Sequence, residues 1–467
     1  MRRPSRLSLA TFATALLVLG ISSRAEALPA CTDQGLAFYP LATPLRYLDT
    51  AQGPTAWWPQ GYPLSAGQTF QGRVNGIPSN ARALVARVTL SNYRGEWPEC
   101  SWYESAYFEG YRCEYEGDPS TSARYPRLRI STALPAPTTG AGVLRVGSGP
   151  SMPTEQLVTF PLATDGSFAL SADSVFDTRV EVVGYYAPPG PGGLYMHLLP
   201  RPSYLFSAFA FTPVGPNTLG RSMNAGETQT FPAVGTWSVT PQFGGPITYT
   251  IPANAALVAG NYIAYLKWDL STPQDVQRVI PFQPGTALPE TGLALQFWDG
   301  FGEGGEYLVK LDAYGQLGLH ATAATDLILN VSGYFSPQQQ DDGNGPGLLF
   351  HPTPHSVKGA TSLSGDDGAG PFYVPTYDQD ATACGTAAAG RLRFIGTGDG
   401  NGQEFQIATQ GFPSNATSIA TAADTNDEVT FVRQIGASGG FDVYVDNADR
   451  SGATLYFEID TFGTFGP

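Results

Sequence analysis

An all-β protein with little helix, divided into three tandem and divergent β-sandwich or β-barrel modules, is the fold class this sequence predicts. Three observations carry that expectation. The 55 Gly and 39 Pro make up about a fifth of the 467 residues, well above ordinary usage, and each costs a helix interior about 1 to 3 kcal/mol. Aromatic (12%) and apolar (42%) residues are too abundant for a disordered chain. Turn and strand patterns also recur at three places, the signature of a repeat architecture.

Taken in order, the chain begins with a secretory pattern. Arg2, Arg3 and Arg6 form a positive region, Leu9 to Ile21 is apolar, and Ala25-Glu26-Ala27 reads as a cleavage site. Residues 1–27 are therefore expected to be a signal peptide, and the protein to be secreted or at the cell surface. A rival reading takes Leu28-Pro29-Ala30-Cys31 as a lipidation box, although Arg24 and Glu26 separate it from the apolar stretch. No later stretch is long and apolar enough for a membrane span. The net charge of −15, with lysine only at 267, 310 and 358, argues against nucleic acid and anionic lipid as partners.

Three patterns then recur. The first is a Pro-x-Asn-Ala turn entering an apolar strand: Pro78-Ser79-Asn80-Ala81, Pro252-Ala253-Asn254-Ala255 and Pro413-Ser414-Asn415-Ala416. The second has the form of a hairpin: Gln156–Phe160 with Phe168–Leu170, Tyr307–Leu311 with Leu317–Leu319, and Thr430–Gln434 with Phe441–Val443. The third closes each unit. It reads Val180-Glu181-Val182-Val183-Gly184-Tyr185-Tyr186, Leu329-Asn330-Val331-Ser332-Gly333-Tyr334-Phe335, and Phe457-Glu458-Ile459-Asp460-Thr461-Phe462, a last copy read as having lost the glycine. Pro/Gly-rich 188–193 and polar 338–347 read as linkers. The expected modules are thus 28–187, 194–337 and 348–467, the first with an insertion at 94–118.

The unit resembles a repeat of large secreted and surface proteins of bacteria. The resemblance rests on Leu48-Asp49-Thr50, Leu64-Ser65-Ala66-Gly67-Gln68-Thr69 and Gly76-Ile77-Pro78 in the first unit. In the second it rests on Ala225-Gly226-Glu227-Thr228, Gly285-Thr286-Ala287-Leu288-Pro289 and the closing strand. It covers most of 40–335 and part of 348–467. It implies a non-catalytic surface or matrix module with no active site.

The search for chemistry agrees with that implication. Gly436-Ala437-Ser438-Gly439-Gly440 has the form of a nucleophile elbow but sits between strands, and no histidine follows His355. His351 and His355 are separated by two prolines that exclude a helical ligand pair, and His197 and His351 stand at equivalent unit starts, which favours packing. Asp399 to Glu404, Asp341-Asp342 and Asp366-Asp367 are incomplete as calcium loops. No catalytic, cofactor or metal residue is assigned.

The most distinctive segment is the insertion, with Trp97, Trp102, Tyr103, Tyr107, Tyr111 and Tyr115 among seven acids. It reads either as a small aromatic core of its own or as a contact surface for sugar rings or a cationic partner. Its Cys100 and Cys113 are expected to form a disulfide, which leaves Cys31 with Cys384. The expected function is a non-enzymatic, exported binding or scaffold protein whose partner is a surface polysaccharide or another envelope or extracellular protein. A carbohydrate-binding protein and a self-assembling structural surface protein are the alternatives.

Overall fold

The computed structural model describes residues 34–52, 63–92, 100–104, 109–113, 127–132, 143–145, 154–208, 217–239, 247–266, 277–290, 293–295, 302–365, 372–376, 387–397, 403–409, 417–422, 426–434, 441–446 and 453–467. Among them there is no helix; the elements are strands. The first run of chain forms β1 (Ala37–Asp49), β2 (Thr69–Arg73), β3 (Ala83–Ser91), β4 (Cys100–Glu104), β5 (Glu109–Cys113), β6 (Arg127–Ser131), β7 (Val143–Arg145), β8 (Thr154–Pro161), β9 (Ser167–Ala172) and β10 (Asp177–Ala187). The second forms β11 (Tyr195–Ser207), β12 (Asn217–Thr218), β13 (Glu227–Pro232), β14 (Gly235–Val239), β15 (Ile247–Ile251), β16 (Leu257–Leu266), β17 (Gln277–Phe282), β18 (Leu293–Leu295), β19 (Gly302–Lys310), β20 (Gln316–Ala321) and β21 (Thr325–Ser336). The third forms β22 (Leu349–Gly365), β23 (Phe372–Thr376), β24 (Ala387–Thr397), β25 (Gln403–Thr409), β26 (Thr417–Ala422), β27 (Asn426–Gln434), β28 (Phe441–Asp446) and β29 (Ala453–Gly466).

The sheets repeat one strand order. In the first run they are β1-β10-β3-β8 and β2-β9-β6-β7. In the second they are β11-β21-β16-β19, with β12 added at the edge, and β13-β20-β17-β18. In the third they are β22-β29-β24-β27 and β23-β28-β25-β26. Leaving aside the small β4-β5 and β14-β15 ribbons, each order is that of an eight-stranded jelly roll. In the first run the two sheets face each other across a core that joins Leu84, Ala86 and Val88 of β3 to Phe168 and Leu170 of β9.

This order corrects the hairpin reading. The strands expected there are present, but β8 and β9 lie in different sheets, as do β19 and β20, and β27 and β28. In each case the chain passes from one sheet to the other between the two strands. The local chemistry is that of a tight turn: Gly166 has φ +81, and Asp165 accepts the Ser167 N–H at 3.0 Å. Such a turn does not encode whether the strands it joins will pair.

The third copy of the Pro-x-Asn-Ala turn is also corrected. The first two precede β3 and β16, central strands of their sheets; Pro413 to Ala416 instead precedes β26, an edge strand.

The closing strands contain an extra residue each. Opposite β3, Val182 pairs with Ala86 and Gly184 with Val85, so Val183 bulges. Opposite β16, the skipped residue is Ser332. Opposite β24, it is Phe462, between Thr461 and Gly463. Gly463 therefore occupies the place of Gly184 and Gly333, and the third copy has kept its glycine. The bulge shifts the pleat by one residue. Val182 and Tyr185 both pack toward the sandwich core, while Tyr186 turns to the opposite face.

That opposite face is shared by all three runs. Phe38, Ala83, Val85 and Tyr186 meet Met196, Leu257, Ala259 and Phe335, together with Phe350, Ala387 and Phe465, in one buried cluster. Backbone bridges close a ring around it. Leu36 pairs with Phe350 (2.8 Å both ways), Leu194 with Phe38 (2.8 and 2.9 Å), and Leu348 with Met196 (2.8 and 3.0 Å). Each run thus gives two alternate residues at the start of its first strand, one to each neighbour. β3 is apolar on both faces for this reason: one lines the sandwich core and the other this hub.

Candidate functional site

Two places concentrate polar or aromatic side chains beyond what the sandwich cores use. The first is the insertion, which extends from the connection between β3 and β6 as the two-stranded ribbon β4-β5. Its register sets Cys100 opposite Cys113, Trp102 opposite Tyr111 and Tyr103 opposite Gly110. Strand alternation places the positions of Cys100 and Trp102 on one face with those of Cys113 and Tyr111, and Tyr103 on the other. Trp97, Tyr107 and Tyr115 lie outside the described residues, as do Cys31, Cys384, Ser438, Trp57-Trp58 and the signal segment 1–27.

The second place brings together residues that the sequence read separately, as a packing histidine and a linker. His197 of β11 is fully buried, and its ring stacks on Tyr334 of β21 at 5.0 Å with the planes 1° apart. Its Nε2 lies 2.8 Å from the Gln338 carbonyl oxygen and 3.0 Å from the Ser336 hydroxyl. Its Nδ1 lies 3.3 Å from the Gly345 carbonyl oxygen and 3.4 Å from Asp342 Oδ1. The Tyr334 hydroxyl donates to Asp342 at 2.6 Å. Burial first, and then this carboxylate, push the Tyr334 pKa up. Asn344 donates to the Tyr334 hydroxyl at 2.9 Å and to the Thr250 carbonyl at 2.8 Å. Asp341 accepts the N–H groups of Gly343 and Gly345, which hold its carboxyl below the usual range. The segment 338–347 therefore lies against β21 and the end of β15. The sequence signal was slight: a histidine at a strand start, and a polar stretch that contains its partners 141 or more residues later.

His351 is also buried, in keeping with a packing role, and His320 sits beside the Thr228 hydroxyl at 2.9 Å. Among the described residues no group of three or more His, Cys, Asp or Glu could hold a metal ion. Also among them, no helix is long and apolar enough to cross a membrane.

Charged side chains join the first two runs. Arg278 donates to both oxygens of Glu155, at 3.1 to 3.3 Å. Glu290 binds Arg46 and Arg179. The turn motif shared by the two runs has a structural cause. Gly67 and Gly226 both have φ +74, Gln68 Oε1 accepts the Ser65 N–H at 2.9 Å, and Glu227 Oε2 accepts the Asn224 N–H at 2.7 Å. The paired Arg221 guanidinium is the main cause that lowers the Glu227 pKa to about 2. The stability this contributes is complete above the ordinary glutamate pKa, about 4.3, and is lost as pH falls toward 2. Arg221 is half exposed, so Glu227→Gln is expected to cost at most about 1 kcal/mol. Acid titration of the unfolding midpoint checks this: the variant's midpoint should fall less between pH 4.3 and 2 than the parent's.

No family model and no curated protein matches the chain. Two solved structures align over most of it. One, described as the triple jelly roll fold and turret assembly in an archaeal virus, is 7% identical over 92% of this chain and 91% of its own, with a TM-score of 0.17. The other, described as the atomic structure of Sulfolobus Turreted Icosahedral Virus, is 7% identical over 94% and 99%, with a TM-score of 0.16. Scores this low carry no argument; the jelly-roll order above rests on this chain's own strand pairing.

Proposed function

We propose that this protein is an exported, non-enzymatic scaffold of the cell surface or extracellular space. Its job is to hold loops in fixed mutual positions for contact with an envelope or extracellular protein or a surface polysaccharide. The observation that supports the reading is the hub. The starts of β1, β11 and β22 are bridged in a ring over one apolar cluster, so the runs are tied to one another and not merely strung together. The buried charged groups described above serve ion pairs and strand-to-strand contacts. The test is saturable binding of the mature protein to isolated cell envelopes or to polysaccharide and protein fractions made from them. Binding to one fraction is the expected result, and no binding to any of them would overturn the reading. Self-assembly is a different outcome, read as a solution mass that grows with concentration.

A second reading, carbohydrate binding, is favoured by the ribbon register. Trp102 stands opposite Tyr111, beside a facing Cys100 and Cys113. Directly opposed residues have Cα atoms about 4.5 to 5.5 Å apart, within the range a disulfide spans. We expect non-reducing peptide mapping to recover Cys100 joined to Cys113, and free thiols at both positions would refute the pairing. On a glycan array, Trp102→Ala with Tyr111→Ala should abolish any signal the parent gives. A silent parent would end this reading without touching the scaffold one.

A further inference from the structure

The ring of His197 faces acceptors on both sides. The Gln338 carbonyl oxygen lies 2.8 Å from Nε2, and the Gly345 carbonyl oxygen lies 3.3 Å from Nδ1 with Asp342 Oδ1 at 3.4 Å. A carbonyl oxygen can only accept. A neutral imidazole has one N–H, so either tautomer points a lone pair at one of these oxygens. Ser336 can donate to Nε2, but the Gln338 carbonyl then still faces that lone pair. Only the imidazolium, with N–H on both nitrogens, donates to both sides. The titratable groups around it are Asp341 and Asp342 of the segment and Tyr334 of β21, on which the ring stacks. The ring is fully buried, so bulk water does not replace a lost partner.

We propose that His197 is a proton-dependent latch: in its doubly protonated form it fastens the segment 338–347 to β11, and its deprotonation loosens that segment. The consequence reaches the hub, because Leu348, the residue after the segment, carries the backbone bridge to Met196. Docking takes up a proton that release gives back, so the docked state weakens as pH rises.

Hydrogen exchange of the full mature chain tests this, read as protection factors that remove the intrinsic pH dependence of exchange. Between about pH 5 and pH 8, the range over which histidine charge ordinarily changes, protection of a peptide spanning 338–347 should fall about tenfold. That is roughly what one charge-assisted hydrogen bond is worth. Strands β3 and β10 serve as the internal reference and should stay level. In His197→Gln, which keeps a donor but cannot titrate, protection of 338–347 should not vary with pH. Nitrogen NMR of the parent's imidazole is the second measurement, independent of whether the variant folds, and should show protons on both ring nitrogens at the acid end. A neutral tautomer throughout the range would overturn the latch. So would protection of 338–347 that ignores pH, or a pH dependence that survives in the glutamine variant.

Discussion

Phe350→Ala should destabilise the protein by about 3 to 5 kcal/mol, the usual cost of removing a buried aromatic side chain. Phe350 is 1% exposed. Its ring lies 4.4 Å from that of Tyr186 and 5.3 Å from that of Phe465, so the cavity would open between the first and third runs. Two rigid sheets on either side of a hub position leave little freedom to collapse into such a space. The effect should also be directional. Residues 453–467 and the bridge between Leu36 and Phe350 should lose protection first, while the sandwich core around Phe168 should hold until global unfolding. Chemical denaturation gives the magnitude and hydrogen exchange gives the order. A loss below about 1 kcal/mol, as for a surface substitution, would mean that the hub does not tie the runs together.

Gly184→Ala should cost about 1 to 3 kcal/mol, the range for overpacking a filled core. A Cβ at Gly184 would run into the Phe38 ring and lie 3.0 Å from the Tyr39 carbonyl oxygen. Phe38 cannot move aside cheaply, because its ring is wedged 5.1 Å from both Tyr186 and Phe335. The same substitution should be felt at Gly463, where the obstacle is the Phe350 ring, and at Gly333, where it is Met196 and the His197 carbonyl. Coupling distinguishes this from a general glycine effect. With Phe38→Leu in the background, Gly184→Ala should cost less than it does alone. A double-mutant cycle with no coupling would place the strain in the bulge backbone and not in the ring contact.

The closing-strand glycine shows how far local pattern reaches. The strand itself was legible, because β-branched and aromatic residues between turns predict one. The reason for the glycine was not, since it depends on a ring from a residue far away in sequence. Aligning the third copy by its apolar residues missed Gly463 because Phe457 to Phe462 matches the pattern two residues early. Only the pairing of Thr461 and Gly463 with Gly390 and Ala389 sets the register. In the candidate sites, the insertion around Cys100 and Cys113 was readable from spacing and composition, but its pairing as a two-stranded ribbon came only from the structure. The environment of His197 was not readable, because its partners come from a polar stretch that by composition reads as a linker.

By itself, the sequence determined the all-β class, the positions of many strands and the tight turns between them. These follow from local chemistry: glycine where φ is positive, Asp or Gln or Glu capping a turn amide, and apolar residues at strand spacing. The tertiary structure alone decided which strands pair, which turns cross between sheets, and how the three runs close on one hub. Those outcomes depend on contacts between residues distant along the chain, and a turn of a few residues carries no record of the sheet its strands will join. The hub rests on the same logic. Each run's first strand and bulged closing strand leave one apolar face that its own sandwich cannot cover, and the two neighbouring runs bury it.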